Sequence, residues 1–205
     1  MGIDLVYLIL LITGVIVLSE NRIHIVLFAL AFQGLLLVIC IFHVHPINQL
    51  ESWILAILAI TFKSILTPYI LSWTIRRLKL PESTSSRFGF LPVLFLLLIG
   101  IFACVVISKN IKGLPEGTHQ IGFIYILLLI YVGVLTFIVR KNWIALVSGF
   151  IVFENGSFLL TLLLNHGLPL GVELGTFMDA VLVIVSAVVV RVQVDVKEQR
   201  SNYGV

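Results

Sequence analysis

Residues 140–165 read RKNWIALVSGFIVFENGSFLLTLLLN. Two cations and an asparagine (Arg140, Lys141, Asn142) precede Trp143, and from there apolar residues run to Leu164 with one ionisable side chain, Glu154, at the centre. About 20 mostly apolar residues cross a bilayer's hydrocarbon layer as a helix, so residues 143–164 predict a transmembrane helix. Six further apolar segments run about 4–18, 23–42, 53–73, 90–108, 121–139 and 172–192. Each has helix-length continuity, unlike the roughly ten-residue alternation of a membrane barrel. The reading is an all-α polytopic membrane protein with seven transmembrane helices.

Composition agrees. Of 205 residues, 60% are hydrophobic and 11% charged, against about 25% charged in soluble domains, and the mean hydropathy is +1.18. These values exclude a soluble globular domain, a disordered chain and a nucleic-acid binder. Seven spans need about 140 residues, which leaves no room for a soluble catalytic domain; any such chemistry falls to a partner. Cys40 and Cys104 lie far apart inside apolar runs and form no disulfide framework. The opening Met-Gly-Ile-Asp4 carries no basic residue ahead of the first apolar run, so that run is expected to be a retained helix and not a cleaved leader.

The net charge of +3 reports topology. The loops after spans 1, 3 and 5 and the C-terminal tail hold Arg22; Arg76, Arg77, Lys79 and Arg87; Arg140 and Lys141; and Arg191, Lys197 and Arg200. The opposite side holds Lys109 and Lys112. Lys and Arg collect on the cytoplasmic side, so the N-terminus is expected outside and the C-terminus in the cytoplasm, in the inner (plasma) membrane. Trp53, Trp73 and Trp143 fall at span ends, as interfacial aromatics do. The polar stretch 81–86 (PESTSS) reads as a linker.

The chain also carries an internal echo. Asn21 stands twelve residues before Gln33, within Phe32-Gln33-Gly34, and Asn142 twelve before Glu154, within Phe153-Glu154-Asn155. His45-Pro46 and His166-Gly167 keep the offset of 121. Helices 1–3 thus resemble helices 5–7, and a single connecting helix 4 makes the repeat parallel. The implied divisions are 1–75, a first three-helix repeat; 76–120, a cytoplasmic loop and connecting helix; 121–195, a second repeat; and 196–205, a tail.

Ionisable groups at membrane depth are costly and mark function. Lys63 lies midway between Trp53 and Trp73, about 15 Å from either end, too deep for its stem to reach water, with Pro68 one turn on to bend the helix. It serves a proton path, or is a structural cation paired with a neighbouring subunit. Glu154, followed by Asn155, has Ser157 and Thr161 on its helical face and suits a proton relay or a helix–helix clamp. Asp179 in span 7 is a second relay candidate or a satisfied structural acid. Glu173, nearer the outer surface, is an outward step or an interfacial acid. Gln33, at the repeat position of Glu154, can hydrogen-bond water but cannot ionise; it is a degenerate relay position on the proton path or a packing residue, and packing is its favoured role. The histidines, at span ends or in loops, form no convincing haem or metal site, and no phosphate-binding or nucleophile motif is present.

Taken together, Arg140-Lys141-Asn142-Trp143, Glu154-Asn155-Gly156, Lys63-Ser-Ile-Leu-Thr-Pro68 with Arg76-Arg77, and Gly167-Leu-Pro-Leu-Gly-Val-Glu173 through Asp179 resemble the hydrogenase-4 component E family. The C-terminal part is similar to the K subunit of respiratory complex I and the C subunit of Mrp-type antiporters. The resemblance covers most of the chain and is most specific from Glu154 to Asp179. It implies a non-catalytic subunit of an energy-converting complex related to complex I, contributing to a proton path through Glu154, Lys63 and Asp179. Glu154 matches the K subunit's first intramembrane Glu, and Asp179 stands roughly where the family has a second Glu, with a shorter reach. The implied partners are antiporter-like membrane subunits, other hydrogenase or complex I-like subunits, and lipid. This chain carries no cofactor in that reading; the NiFe centre and iron–sulfur clusters belong to partner subunits. The alternatives are a structural scaffold between antiporter-like subunits and a free-standing small permease.

Overall fold

A computed structural model describes residues 2–44, 50–78, 87–111, 120–141 and 143–164. Among these residues all the regular secondary structure is helical, without strands. The helices are α1 (Gly2–Ser19), α2 (Ile23–Val44), α3 (Leu50–Leu58), a π-helical segment (Ala59–Leu66), α4 (Thr67–Leu78), α5 (Phe90–Asn110), α6 (Gln120–Val139) and α7 (Trp143–Leu164). α3, the π segment and α4 are continuous, and over Ser52–Arg77 they are one of six helical stretches long and apolar enough to cross a membrane. The protein is membrane-embedded, with six such helices among the described residues. The expected span over 172–192, with Glu173, Thr176, Asp179 and Ser186, lies outside them.

Contacts at the helix ends reveal how the spans alternate. At one end, Phe42 of α2 meets Trp53 of α3 with ring centroids 5.1 Å apart, and the Gln120 amide on α6 donates to the Ser108 carbonyl on α5 at 3.5 Å. Asp4 of α1 lies against Gly122 of α6 at this same end. At the other end, the Arg87 N–H donates to the Val139 carbonyl at 2.7 Å, and Arg140 reaches back to the α1–α2 turn. Arg22, Arg76, Arg77, Arg87, Arg140 and Lys141 therefore share one end of the bundle, and Lys109 lies at the opposite one. Among the described residues, the basic asymmetry of the sequence is thus an asymmetry of the folded bundle.

Apolar faces alone cannot hold such helices together, because lipid tails are as apolar as leucine; association in a bilayer relies on close packing and on hydrogen bonds between helices. The bundle uses glycine for the first. A Cβ on Gly133 of α6 would lie 2.4 Å from the Phe153 amide nitrogen of α7, and one on Gly34 of α2 would lie 2.7 Å from the Ser64 nitrogen of the π segment. At both places backbone meets backbone. α6 and α7 form the most extensive helix pair, with α1 packed on α6 and α2 on the π segment. Cys40 and Cys104 are free thiols buried within the bundle. α5 is attached through α6: the Tyr131 hydroxyl donates to the Leu96 carbonyl at 2.7 Å, its ring seated over Gly100. Only Gly100, Cys104 and Ser108 of α5 are buried.

Candidate functional site

The site forms where the middles of α1, α2, the π segment and α7 converge. Its first determinant is Pro68. An α-helical carbonyl at Ser64 would be bonded by the N–H of residue 68, and proline has none. The chain ahead of Pro68 instead takes the wider π pattern, in which the Thr67 N–H reaches the Phe62 carbonyl five residues back. The sequence suggests a kink at Pro68; the helix accommodates it by widening upstream, as π segments do at functional sites. The Ser64 hydroxyl donates to the Ala31 carbonyl of α2 at 3.0 Å, and Gly34 admits the Lys63–Ser64 backbone. This seating aims Lys63 inward.

The Lys63 ammonium donates to Glu154 Oε1 in an ion pair between side chains 5% exposed. It also lies 3.3 Å from Asn155 Oδ1 and 5.8 Å from the centre of the Phe158 ring, within cation–π range. The Asn155 amide donates to Gln33 Oε1 at 3.0 Å, and the Gln33 amide donates to the Leu10 carbonyl at 3.3 Å. Thr13 donates to that carbonyl as well, at 2.7 Å. Asn155 and Gln33 are fully buried. A continuous polar chain therefore runs Glu154–Lys63–Asn155–Gln33–Leu10 through an apolar interior, where low dielectric strengthens each link.

Of the residues singled out in the sequence, Lys63, Glu154, Asn155 and Gln33 come together. The partner of Lys63 is in the same chain. Gln33, for which packing is the favoured role, is a link in the polar chain. Pro68 contributes through the π segment. Ser157 and Thr161 stand on α7, but their hydroxyls donate to the Phe153 and Ser157 carbonyls at 2.9 Å each; each is bonded along its own helix. Asp179 and Glu173 lie outside the described residues. Among the described residues, no group of three His, Cys, Asp or Glu is placed to hold a metal.

A second buried polar centre escapes the sequence reading, which counts Arg140 only among the loop cations of the basic side. Arg140 is 1% exposed. Its Nε donates to the Leu18 carbonyl at 3.0 Å, one terminal nitrogen to Asn21 Oδ1 at 2.6 Å and the other to the Glu20 carbonyl at 2.8 Å. It thereby occupies carbonyls that the end of α1 leaves open and places a cation at that helix's negative pole. Burial pulls the guanidinium below its ordinary value, and Glu20 acts in the opposite direction; arginine stays charged all the same. The signal in the sequence is Asn21, the turn counterpart of Asn142. No family model matches the chain, and neither a curated protein nor a solved structure matches it.

Proposed function

We propose that this chain is a proton-conducting and connecting membrane subunit of a complex related to respiratory complex I and to energy-converting NiFe hydrogenases. The observation that carries the reading is the buried Lys63–Glu154 pair, continued by Asn155 and Gln33. An intramembrane ion pair is costly to maintain, and such groups mark ion pathways and proton relays. A proton delivered to Glu154 neutralises the carboxylate and loosens its hold on Lys63, which then leans on Asn155 and the Phe158 ring. Loss of the proton restores the pair. Such a group has two states, and each can face a different hydrated segment. Asp179 and Glu173, on a seventh helix over 172–192, provide the onward stations, and antiporter-like subunits extend the path. The NiFe centre and iron–sulfur clusters reside in partner subunits.

In this reading the basic end of the bundle is cytoplasmic, the N-terminus outside and the C-terminus inside, in the plasma membrane. The chain is a parallel duplication of helices 1–3 and 5–7. Supporting the duplication, α2 and α7 are each 22 residues long, their polar centres touch through Gln33 and Asn155, and their preceding turns meet at Arg140. The second reading is a scaffold between antiporter-like subunits. It draws on α5, whose Leu91, Phe95, Leu98 and Phe102 are exposed along a face broad enough to seat partner helices.

The test is affinity purification of the tagged full chain from its native membrane in mild detergent, followed by mass spectrometry. Stoichiometric antiporter-like and NiFe-hydrogenase- or complex I-like subunits are expected; a chain that purifies alone contradicts the subunit reading.

A further inference from the structure

At the basic end of the bundle, α1, α5 and α6 enclose a cavity of about 300 Å³, a size found among small-ligand pockets. Its walls are apolar, from Val15 and Leu18 on α1, Val93 and Leu97 on α5, and Val139 on α6. Three polar side chains border it, and hydrogen bonds turn their polar atoms toward the protein. The Ser19 hydroxyl donates to the Val15 carbonyl at 2.8 Å, and Arg140 donates to the Asn21 side chain and to the backbone of the α1–α2 turn. The cavity thus suits a hydrocarbon chain and is unsuited to a polar solute. The chain neighbours of its lining have the opposite character. Arg87, next to the lining Phe88 and anchored by its N–H to the Val139 carbonyl, Lys141, next to the lining Arg140, and Arg22, next to the lining Asn21, are all exposed. The one acid in this turn, Glu20, accepts the Asn21 and Arg22 N–H groups at 2.9 and 3.0 Å. Among the described residues, three exposed cations against one carboxylate leave the rim positive. Phe88 and Phe90 stand exposed between rim and wall, where aromatic rings favour the interface.

We propose that this cavity holds one acyl chain of an anionic phospholipid, its phosphate gripped by Arg87 and Lys141. An apolar slot under a cationic rim, at the level where α1 and α6 end and α5 begins, matches the layering of a lipid: tail inward, charged headgroup at the surface. The bound lipid would fill the space between α5 and the rest of the bundle and so fix the angle of a helix otherwise bonded to α6 at Tyr131–Leu96 and Gln120–Ser108. The inference rests on membrane embedding and is independent of the proton-path reading.

The full chain is reconstituted in nanodiscs of equal phosphatidylglycerol and phosphatidylcholine, extracted in mild detergent, and weighed by native mass spectrometry. One phosphatidylglycerol per chain, retained over phosphatidylcholine, is expected. The exposed pair Arg87→Gln/Lys141→Gln should weaken its retention on the order of tenfold, each basic contact near the surface adding an increment of affinity. Leu97→Trp, which fills the slot, should remove lipid of either class. Equal retention of the two lipids by the unaltered chain, unchanged phosphatidylglycerol in the charge variant, or a lipid-free protein dimer closed over the groove would each overturn the proposal.

Discussion

Lys63→Met is expected to destabilise the folded chain by about 3–5 kcal/mol, the usual cost of removing one member of a buried ion pair. The Glu154 carboxylate would keep its place 4% exposed without the cation that offsets its desolvation. Lys63→Met combined with Glu154→Gln should recover most of that loss, because a neutral pair of similar volume carries no buried charge. The coupling measured this way counts the Lys63–Glu154 contact itself, since Asn155 and Gln33 remain bonded to each other in every variant. Unfolding of the full chain in mixed micelles is the measurement. If the double variant is no more stable than Lys63→Met, the pair is not the unit described here.

A second large effect is expected from two glycines remote from any charge. Gly34→Val and Gly133→Val each place side-chain carbon where backbone of the facing helix now lies, within 3 Å for even the first carbon. Neither the Ser64 nor the Phe153 backbone can step aside without moving the residue next to it, Lys63 in one case and Glu154 in the other. Overpacking of this kind costs about 1–3 kcal/mol. Gly2→Val is the control, since nothing lies within 4 Å of a Cβ there. Both interior variants should lower the thermal midpoint of the purified chain and separate Lys63 from Glu154, while the control does neither. An interior variant as stable as the control would show that the close approaches do not hold the site.

Much of this architecture is legible in the sequence, because the hydrophobic length of a membrane span is dictated by the solvent. The expected helix at 143–164 coincides with α7, and five other apolar runs are helices with ends shifted by a few residues. Lys63 and Glu154 stand out for the same reason: at that depth each is too costly to be incidental. Their pairing is less legible. They are 91 residues apart, and hydropathy does not say which face of one span meets which face of another. That choice is made by Gly34, Gly133 and the π segment, through close contacts that have no periodic signature. Gln33 illustrates the same limit, since a neutral amide reads as packing until Asn155 is placed beside it. Arg140 shows the converse. Counting cations by loop places it correctly at the basic end, but a count carries no information on burial, and the Leu18 and Glu20 carbonyls that it satisfies are visible only once α1 and α6 lie side by side.

In the proposed complex, Glu154 is the residue assigned to carry protons. Glu154→Gln removes the titratable group but keeps the shape and an amide oxygen for the Lys63 ammonium, which also retains Asn155 Oδ1 and the Phe158 ring; it should therefore cost less than Lys63→Met and leave the proposed complex assembled. The decisive measurement is proton uptake into membrane vesicles recorded together with the electron-transfer rate of the complex. A fall in protons moved per electron is expected, with electron transfer continuing; an unchanged ratio in Glu154→Gln would contradict the proposed proton path.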